Sequence, residues 1–384
     1  MTVNKAAAPM AWAEIDLGAL RHNFRETKKL AFFQLEPRIS RELDILSVVK
    51  ADAYGHGMVE VARAIDKEGG RFFVVSNVNE AIALRDAGCR RRILLLEAAL
   101  PEIAPALLKH DLTPAVSSLP LARAIGRLMR RTRKKFPVHV KIDTGMGRLG
   151  VCQEEGEDFV LALNALEGIR VEGLLTHFPL ADSDRQFTER QIDGFTRLVA
   201  SLIRRQVPFR YIHAANSMGL AGYKNRFFNL VRPGVMLYGL YPLESLRAKV
   251  KLRPVMSVRA RVLMTKKIRR GQGISYGHIF RAPGDMPVAV LAIGYSDGYS
   301  RAFSNRASVL LNGVSCPVVG RVTMDQTIVD ITRAGKVSAG DEAVVLGRQG
   351  PLEIRAETLA GWADTIHYEV VCNLGNRLPR FYIK

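Results

Sequence analysis

Between residues 45 and 231 the chain repeats one local unit: a short run of apolar, often β-branched residues, then a longer stretch with apolar positions three and four apart. The runs fall at 45–49, 72–75, 93–96, 113–116, 138–142, 171–175, 209–213 and 230–231. The helical patterns between them fall at 60–67, 80–87, 101–109, 119–130, 157–166, 190–204 and, shortest, 217–222. Strands this short and this uniformly apolar have no face suited to water, so they need cover on both sides. A helix after each strand supplies that cover and returns the chain to the starting edge, which makes neighbouring strands parallel. Eight such strands over residues 17–246 predict closure into a (β/α)8 barrel of the TIM type. An open doubly wound sheet is the alternative, weakened because no GxGxxG turn follows the first strand.

The flanks read differently. Residues 12–15 alternate as a short strand, and Asp16 is placed to cap a helix beginning at Leu17. After residue 246 come short β-branched runs at 255–264, 288–293, 308–311, 315–319, 327–331 and 342–346. Turns such as Gly284-Asp285, Asn312-Gly313 and Gly340-Asp341 separate them, with one helix expected at 356–364. We therefore expect an α/β chain in which the barrel is followed by a mostly antiparallel β domain at 247–384, with the strand of segment 1–16 pairing with that domain.

Composition narrows the function classes. A hydrophobic content of 48% and a mean hydropathy of +0.02 describe a globular protein, and no apolar run reaches the roughly 18 residues of a membrane span. The first residues lack the sustained apolar core of a signal peptide, so a cytoplasmic location is expected. Cys89, Cys152, Cys316 and Cys372 show no paired spacing, which argues against a metal site and a disulfide framework. The net charge of +19 is the anomaly. Its clusters at 123–135 and 259–270 lack interleaved aromatics, and the first carries Ala124, Ile125, Leu128 and Met129 at helical spacing. The first therefore reads as a solvated face, and nucleic-acid binding is not expected.

In a barrel, chemistry gathers where the strands end. Those ends carry Lys50, then Lys141 to Arg148 (KIDTGMGR), His177, His213 with Asn216 and Ser217, and Arg232 with Gly234 and Val235. Lysine at the tip of an apolar strand is costly unless used, and one use is a Schiff base with an aldehyde cofactor. Asn216-Ser217 and Gly234-Val235 would open the segments after strands seven and eight, where backbone N–H groups form an anion site. An amine and a phosphate cradle on one rim together suggest pyridoxal phosphate. His213 stays open between a core and a functional reading.

The motifs VVKADAYGHG, KIDTGMGRLG, THFPLAD, HAANSMGL, RPGVMLYGLYP, GISYGH, IGYSDGYSR, VVGRVTMDQTIVDIT and YEVVCNLGNRLPR occur in that order. Together they resemble the alanine racemase family of fold-type III pyridoxal-phosphate enzymes, across almost the whole length. The resemblance implies a barrel plus C-terminal β domain, and homodimers with shared active sites. It implies L- and D-alanine as substrates, and a supply of D-alanine for peptidoglycan.

By position, the resemblance makes Lys50 the cofactor lysine and one catalytic base, and Tyr276 the opposite base, reaching in from the other subunit. Removing the α-proton on one face and returning it on the other needs two such groups. Arg232 would face the pyridine nitrogen and, with His177, support Tyr276. Tyr54, Asn216, Ser217, Gly234, Val235 and Tyr368 would hold the cofactor. Arg148, Met324 and Asp325 would meet the substrate, with Lys141 orienting Arg148, as a carbamate in many members. Asp182, Tyr295, Arg301, Arg321 and Ile366 would line the entrance. Thr323, His367, the segment 373–376 and a loop extension at 33–43 depart from the usual pattern without removing a proposed catalytic group. Other readings are a broader racemase acting on serine or lysine, a fold-type III decarboxylase, and a non-catalytic cofactor carrier, which would resemble the barrel alone.

Overall fold

The computed structural model describes residues 9–34, 43–223 and 228–384. The chain divides into two compact units. One comprises Arg21–Ala51 and Met58–Leu252; the other comprises Asp52–Gly57, Arg253–Lys384 and the N-terminal segment up to Leu20. The expected loop extension falls mainly on residues 35–42, outside the described residues.

The first unit is the barrel. Among the described residues, its strands in chain order are Asp44–Val48, Phe72–Val75, Arg92–Leu95, Thr113–Val116, Phe136–Asp143, Ile169–Leu175, Tyr211–His213 and Leu230–Val231. From Asp44–Val48 to Tyr211–His213 each pairs in parallel with the next, and Leu230–Val231 pairs with Asp44–Val48, while no ladder among the described residues joins Tyr211–His213 to Leu230–Val231. The last gap is bridged by Asn229 N–H to the Ile212 carbonyl at 3.1 Å and Arg232 N–H to the Ala215 carbonyl at 2.8 Å. The periodicity reading therefore holds: Phe72–Val75 and Thr113–Val116 are buried throughout, as two-sided cover requires. Polar caps begin the outer helices. Asn77 accepts from Glu80 N–H at the head of Val78–Asp86, and Asp184 from Phe187 N–H at the head of Arg185–Arg204.

The second unit is built on the long strand Met256–Ile268. It pairs antiparallel with Ala11–Asp16, Met286–Leu291 and Glu342–Gln349, and its first eight residues alternate buried and half-buried. Asn312 and Gly313 have φ of 51° and 77° and join Ser308–Leu311 to Val314–Pro317, the two-residue turn their sequence demands. Asp16 Oδ1 accepts from Ala19 N–H at 2.8 Å and so caps Leu17–Gln34.

Two departures bear on the site, besides short strands not expected at Gly273–Ile274, Phe280–Arg281, Leu352–Ile354 and, last in the chain, Arg380–Ile383. A second C-terminal helix, His367–Arg377, follows Ala356–Ala363. Its Val-Val pair, Asn residues and Gly375 have poor helix propensity, so tertiary packing overrides the local signal. The second departure follows Lys50.

Candidate active site

The first barrel strand delivers Lys50 under restraint. Val48 N–H donates to the Pro233 carbonyl at 3.1 Å, Tyr238 Oη donates to the Val48 carbonyl at 2.8 Å, and Val49 N–H reaches the Val74 carbonyl at 2.9 Å. Lys50 itself is half-buried. The next four residues, Ala51, Asp52, Ala53 and Tyr54, all take φ between 50° and 57°, a left-handed helical turn continued by Gly55 at 79°. Each non-glycine residue there costs roughly 1–2 kcal/mol, so its surroundings must hold the turn. Ala51 N–H donates to Glu80 Oε1 at 2.7 Å, and Glu80 Oε2 accepts from Ser76 N–H at 2.7 Å. Within the second unit, Arg380 pairs with Asp52 at 2.6 Å and donates to the Gly55 carbonyl at 2.9 Å. The turn begins four residues before the glycine pair Gly55 and Gly57, where alanine, aspartate and tyrosine give no local signal. Tyr54 is buried with its ring centroid 6.1 Å from that of Tyr368, and burial raises its phenol pKa.

Arg232 is 2% exposed and reached from two strand ends. One terminal nitrogen donates to His213 Nδ1 at 2.8 Å and to the His213 carbonyl at 2.9 Å. The other donates to the Thr176 carbonyl at 2.6 Å, the Ala214 carbonyl at 2.9 Å and, longer, His177 Nδ1 at 3.4 Å. All these partners are neutral, and Nε–H has no protein acceptor among the described residues. Burial brings the guanidinium pKa down to about 9, which keeps it charged at neutral pH. Because arginine only donates, His177 accepts at Nδ1 and carries its proton on Nε2. Burial, then the charges of Arg232, Lys141, Arg148 and Lys50, bring the His177 pKa down to about 3.

Lys141, on the fifth strand, is 6% exposed. Burial, then Arg148 and Arg232, lower its pKa to about 8 against the opposing pull of Asp143. Asp143 Oδ1 ties the following turn by accepting from Gly145, Met146 and Gly147 N–H at 2.9, 2.7 and 3.2 Å, which presents exposed Arg148. Lys50, Lys141, Arg148 and Arg232 thus form one cationic cluster around the neutral His177 in the barrel unit.

The anion cradle takes shape at the next two strand ends. Asn216 caps Ser217–Gly222 by accepting from Gly219 N–H at 2.8 Å. Gly234 N–H donates to Ser217 Oγ at 3.0 Å, and Val235 opens a 3-10 turn, Val235–Tyr238. Ser217 Oγ accepts from Gly234 N–H and keeps its own hydrogen to donate. The donors fit pyridoxal phosphate at both ends: the cradle suits the phosphate, and the open Nε–H of Arg232 suits a pyridine nitrogen.

The remaining candidates, apart from Asp182 in the barrel unit, belong to the β unit. Tyr276 is 72% exposed, Met324 55% and Ile366 60%. Ser275 Oγ donates to the Arg321 carbonyl at 2.7 Å, which sets Tyr276 beside Arg321 in the fold. Tyr295 N–H donates to the Thr323 carbonyl at 3.0 Å, and Ser296 Oγ joins the Met324 carbonyl and Asp325 Oδ1 at 2.7 and 3.0 Å. Arg301 heads a separate short turn, Arg301–Phe303.

Strand-end reasoning missed one group, beneath Arg232: His139, Glu172 and Arg92. Polar side chains inside otherwise apolar strands, His139 in VHV and Glu172 in VEG, were the available signal.

Known proteins resemble the chain over both units. The family model described as alanine racemase, N-terminal domain, matches residues 15–242, and that for the C-terminal domain matches residues 255–382. The alanine racemase of Halothermothrix orenii is 39% identical over 99% of this chain and 98% of its own length. That of Geobacter sulfurreducens is 41% identical over 97% and 96%. The solved alanine racemase of Bartonella henselae with covalently bound pyridoxal phosphate superposes with a TM-score of 0.85 at 29% identity, covering 98% of this chain and all of that one.

Proposed function

The chain belongs to the alanine racemase family, and from that premise we infer that it interconverts L-alanine and D-alanine with pyridoxal phosphate, supplying D-alanine for peptidoglycan. The relatives share one activity in their names, so a wider reading with serine or lysine as substrate is not favoured. The observation that carries the cofactor's orientation is Arg232: buried, surrounded by neutral acceptors, with Nε–H left over.

Pyridoxal phosphate, when bound, supplies an electron-withdrawing ring that lowers the cost of removing the substrate's α-proton. Lys50 holds the cofactor through its ε-amine, and its Nζ takes or returns the proton on one face. Tyr276 of the partner subunit serves the opposite face through its phenolic oxygen. Arg232 would hold the pyridine nitrogen by a hydrogen bond without surrendering its own proton, which would temper the ring's pull and disfavour transamination. His177, protonated only on Nε2, can only donate from that nitrogen, so it stabilises negative charge on the tyrosine oxygen.

Ser217, Asn216, Gly234 and Val235 would hold the phosphate from the barrel unit; the resemblance gives Tyr54 and Tyr368, of the other unit, the same role. Arg148 orients the substrate carboxylate, with Met324 and Asp325 of the partner subunit beside it. The low pKa of Lys141 leaves more of its amine unprotonated near neutrality, the form that adds to carbon dioxide with release of a proton. The resulting carbamate would turn a repulsive neighbour of Arg148 into an attractive one. The resemblance assigns the approach to Asp182 of the barrel unit and to Tyr295, Arg301, Arg321 and Ile366 of the β unit. The high exposure of Tyr276, Met324 and Ile366 supports a homodimer that covers them. We place the protein in the cytoplasm; no helix among the described residues is long and apolar enough to cross a membrane.

The test is the purified protein with L-alanine in D2O. A yellow preparation that forms D-alanine with deuterium at the α-carbon is expected. Formation of pyruvate in place of D-alanine would refute the assignment.

A further inference from the structure

Below Arg232 the barrel interior holds polar groups that the proposed reaction does not use. His213 Nε2 lies 2.8 Å from His139 Nδ1, both residues fully buried. His139 Nε2 has no hydrogen-bond partner, and the nearest charge is Glu172 Oε2 at 3.7 Å, a charge–dipole contact longer than a hydrogen bond. Glu172 is itself 7% exposed and held by Arg92, which also donates to Tyr211 Oη at 2.9 Å and lies over the Phe72 ring at 4.4 Å. Arg170 reaches its other oxygen at 3.2 Å.

The donor rules give this column a single direction. Arg232 donates, so His213 accepts at Nδ1 and carries its proton on Nε2. His213 then donates to His139 Nδ1, leaving the His139 proton on Nε2, facing the Glu172 carboxylate. No alternative arrangement satisfies both 2.8 Å contacts with neutral rings.

The backbone is shaped to admit it. Opposite the fifth strand, Val138 pairs with Val171 but His139 pairs with Gly173, so Glu172 is the extra residue of a bulge. Bulges re-aim side chains, and this one turns Glu172 toward the imidazole. A Cβ on Gly173 would lie 2.7 Å from His139 Nδ1, so glycine makes room for the ring. Gly173 pairs with Tyr211 and Leu175 with His213, so the column climbs from Glu172 through His139 and His213 to the strand-end arginine.

We propose that Glu172, His139 and His213 are positioning residues: a column of fixed proton direction that orients the Arg232 guanidinium from below and, through it, tunes the cofactor ring. Only the tuning rests on the proposed function; the proton positions stand on geometry alone. Burial lowers the pKa of both histidines, against the raising pull of Glu172 on His139. For Glu172, burial alone would raise the pKa, but His139, Arg92 and Arg170 hold it at about 2. The rings therefore stay neutral and the carboxylate charged across the working range. The charged and titratable groups facing the column are Arg92, Arg170, Glu172, Tyr211 and Arg232.

Imidazole 15N spectra of the full-length protein, without and with pyridoxal phosphate, read the column directly. Nδ1 of both His139 and His213 is expected as the unprotonated type and Nε2 as N–H, unchanged from pH 6 to 9. A cationic ring or the reverse tautomer at either position overturns the proposal. His139→Leu removes the acceptor for His213; it should shift the absorption maximum of the bound cofactor and lower kcat about ten-fold with a smaller change in KM. His139→Gln, which can accept and donate, should restore most of both. A folded His139→Leu protein with parental spectrum and kcat would sink the tuning role; should that variant not fold, His139→Gln and the spectra decide. Correct tautomers in a protein that does not racemise alanine would refute the function and leave the column standing.

Discussion

Gly55 and Gly375 meet backbone to backbone: a Cβ built on Gly375 would lie 2.0 Å from the Gly55 carbonyl oxygen and 2.6 Å from its Cα. That contact presses the left-handed turn after Lys50 against helix His367–Arg377, which carries Tyr368. Gly375→Ala should therefore destabilise the protein by about 1–3 kcal/mol and lower its melting temperature by several degrees. Because Tyr54 and Tyr368 sit on the two segments, cofactor should also be retained less tightly. Calorimetry and a fluorescence titration with pyridoxal phosphate measure both; an unchanged melt would mean that the turn and helix are not in register.

The same turn reverses an ordinary rule. Ala51 is exposed with φ of 51°, where glycine has no steric penalty and a β-branched residue has a large one. Ala51→Gly should leave stability unchanged or raise it by up to about 1 kcal/mol, whereas Ala51→Val should lower it by about 1–2 kcal/mol. Equal losses from both substitutions, measured by thermal melting, would contradict a left-handed Ala51.

Lys141 carries a pH signature. Its pKa falls from 10.5 to about 8 on folding, so below about pH 8 the folded protein bears the cost of a buried ammonium, and above 10.5 that cost is gone. Lys141→Met should be the more stable protein at pH 7 in buffer free of carbon dioxide, by on the order of 2–3 kcal/mol. The gap should close between about pH 8 and 10.5. A gap constant with pH would show that Lys141 titrates normally. With 13C-labelled bicarbonate, a carbamate signal present in the parent and missing in the variant tests the proposed modification.

The two-base assignment separates into distinct losses. Lys50→Ala should lose the yellow colour of bound cofactor. Tyr276→Phe should keep it while racemisation falls by about 100-fold or more. Full activity in a folded Tyr276→Phe protein would remove tyrosine from the proton-transfer pair.

How far the sequence reaches depends on the distance over which each feature is encoded. Strand-helix alternation is a local signal repeated along the chain, and a two-sided apolar strand has few folds open to it, so barrel, β domain and strand-end cluster were all legible. Lys50, Lys141, His177 and Arg232 were visible because strand ends face one rim whatever the detailed packing. What tertiary structure decided has no local encoding. Ala51 to Tyr54 turn left-handed because Glu80, in the first turn of the helix Val78–Asp86, and Arg380 on the last strand bond to the turn from remote parts of the chain. His367–Arg377 is helical because packing outweighs weak propensity. The proton direction through His139 and His213 exists only once three strands set imidazole against imidazole and both against Arg232, because hydrogen-bond polarity belongs to contacts and not to residues.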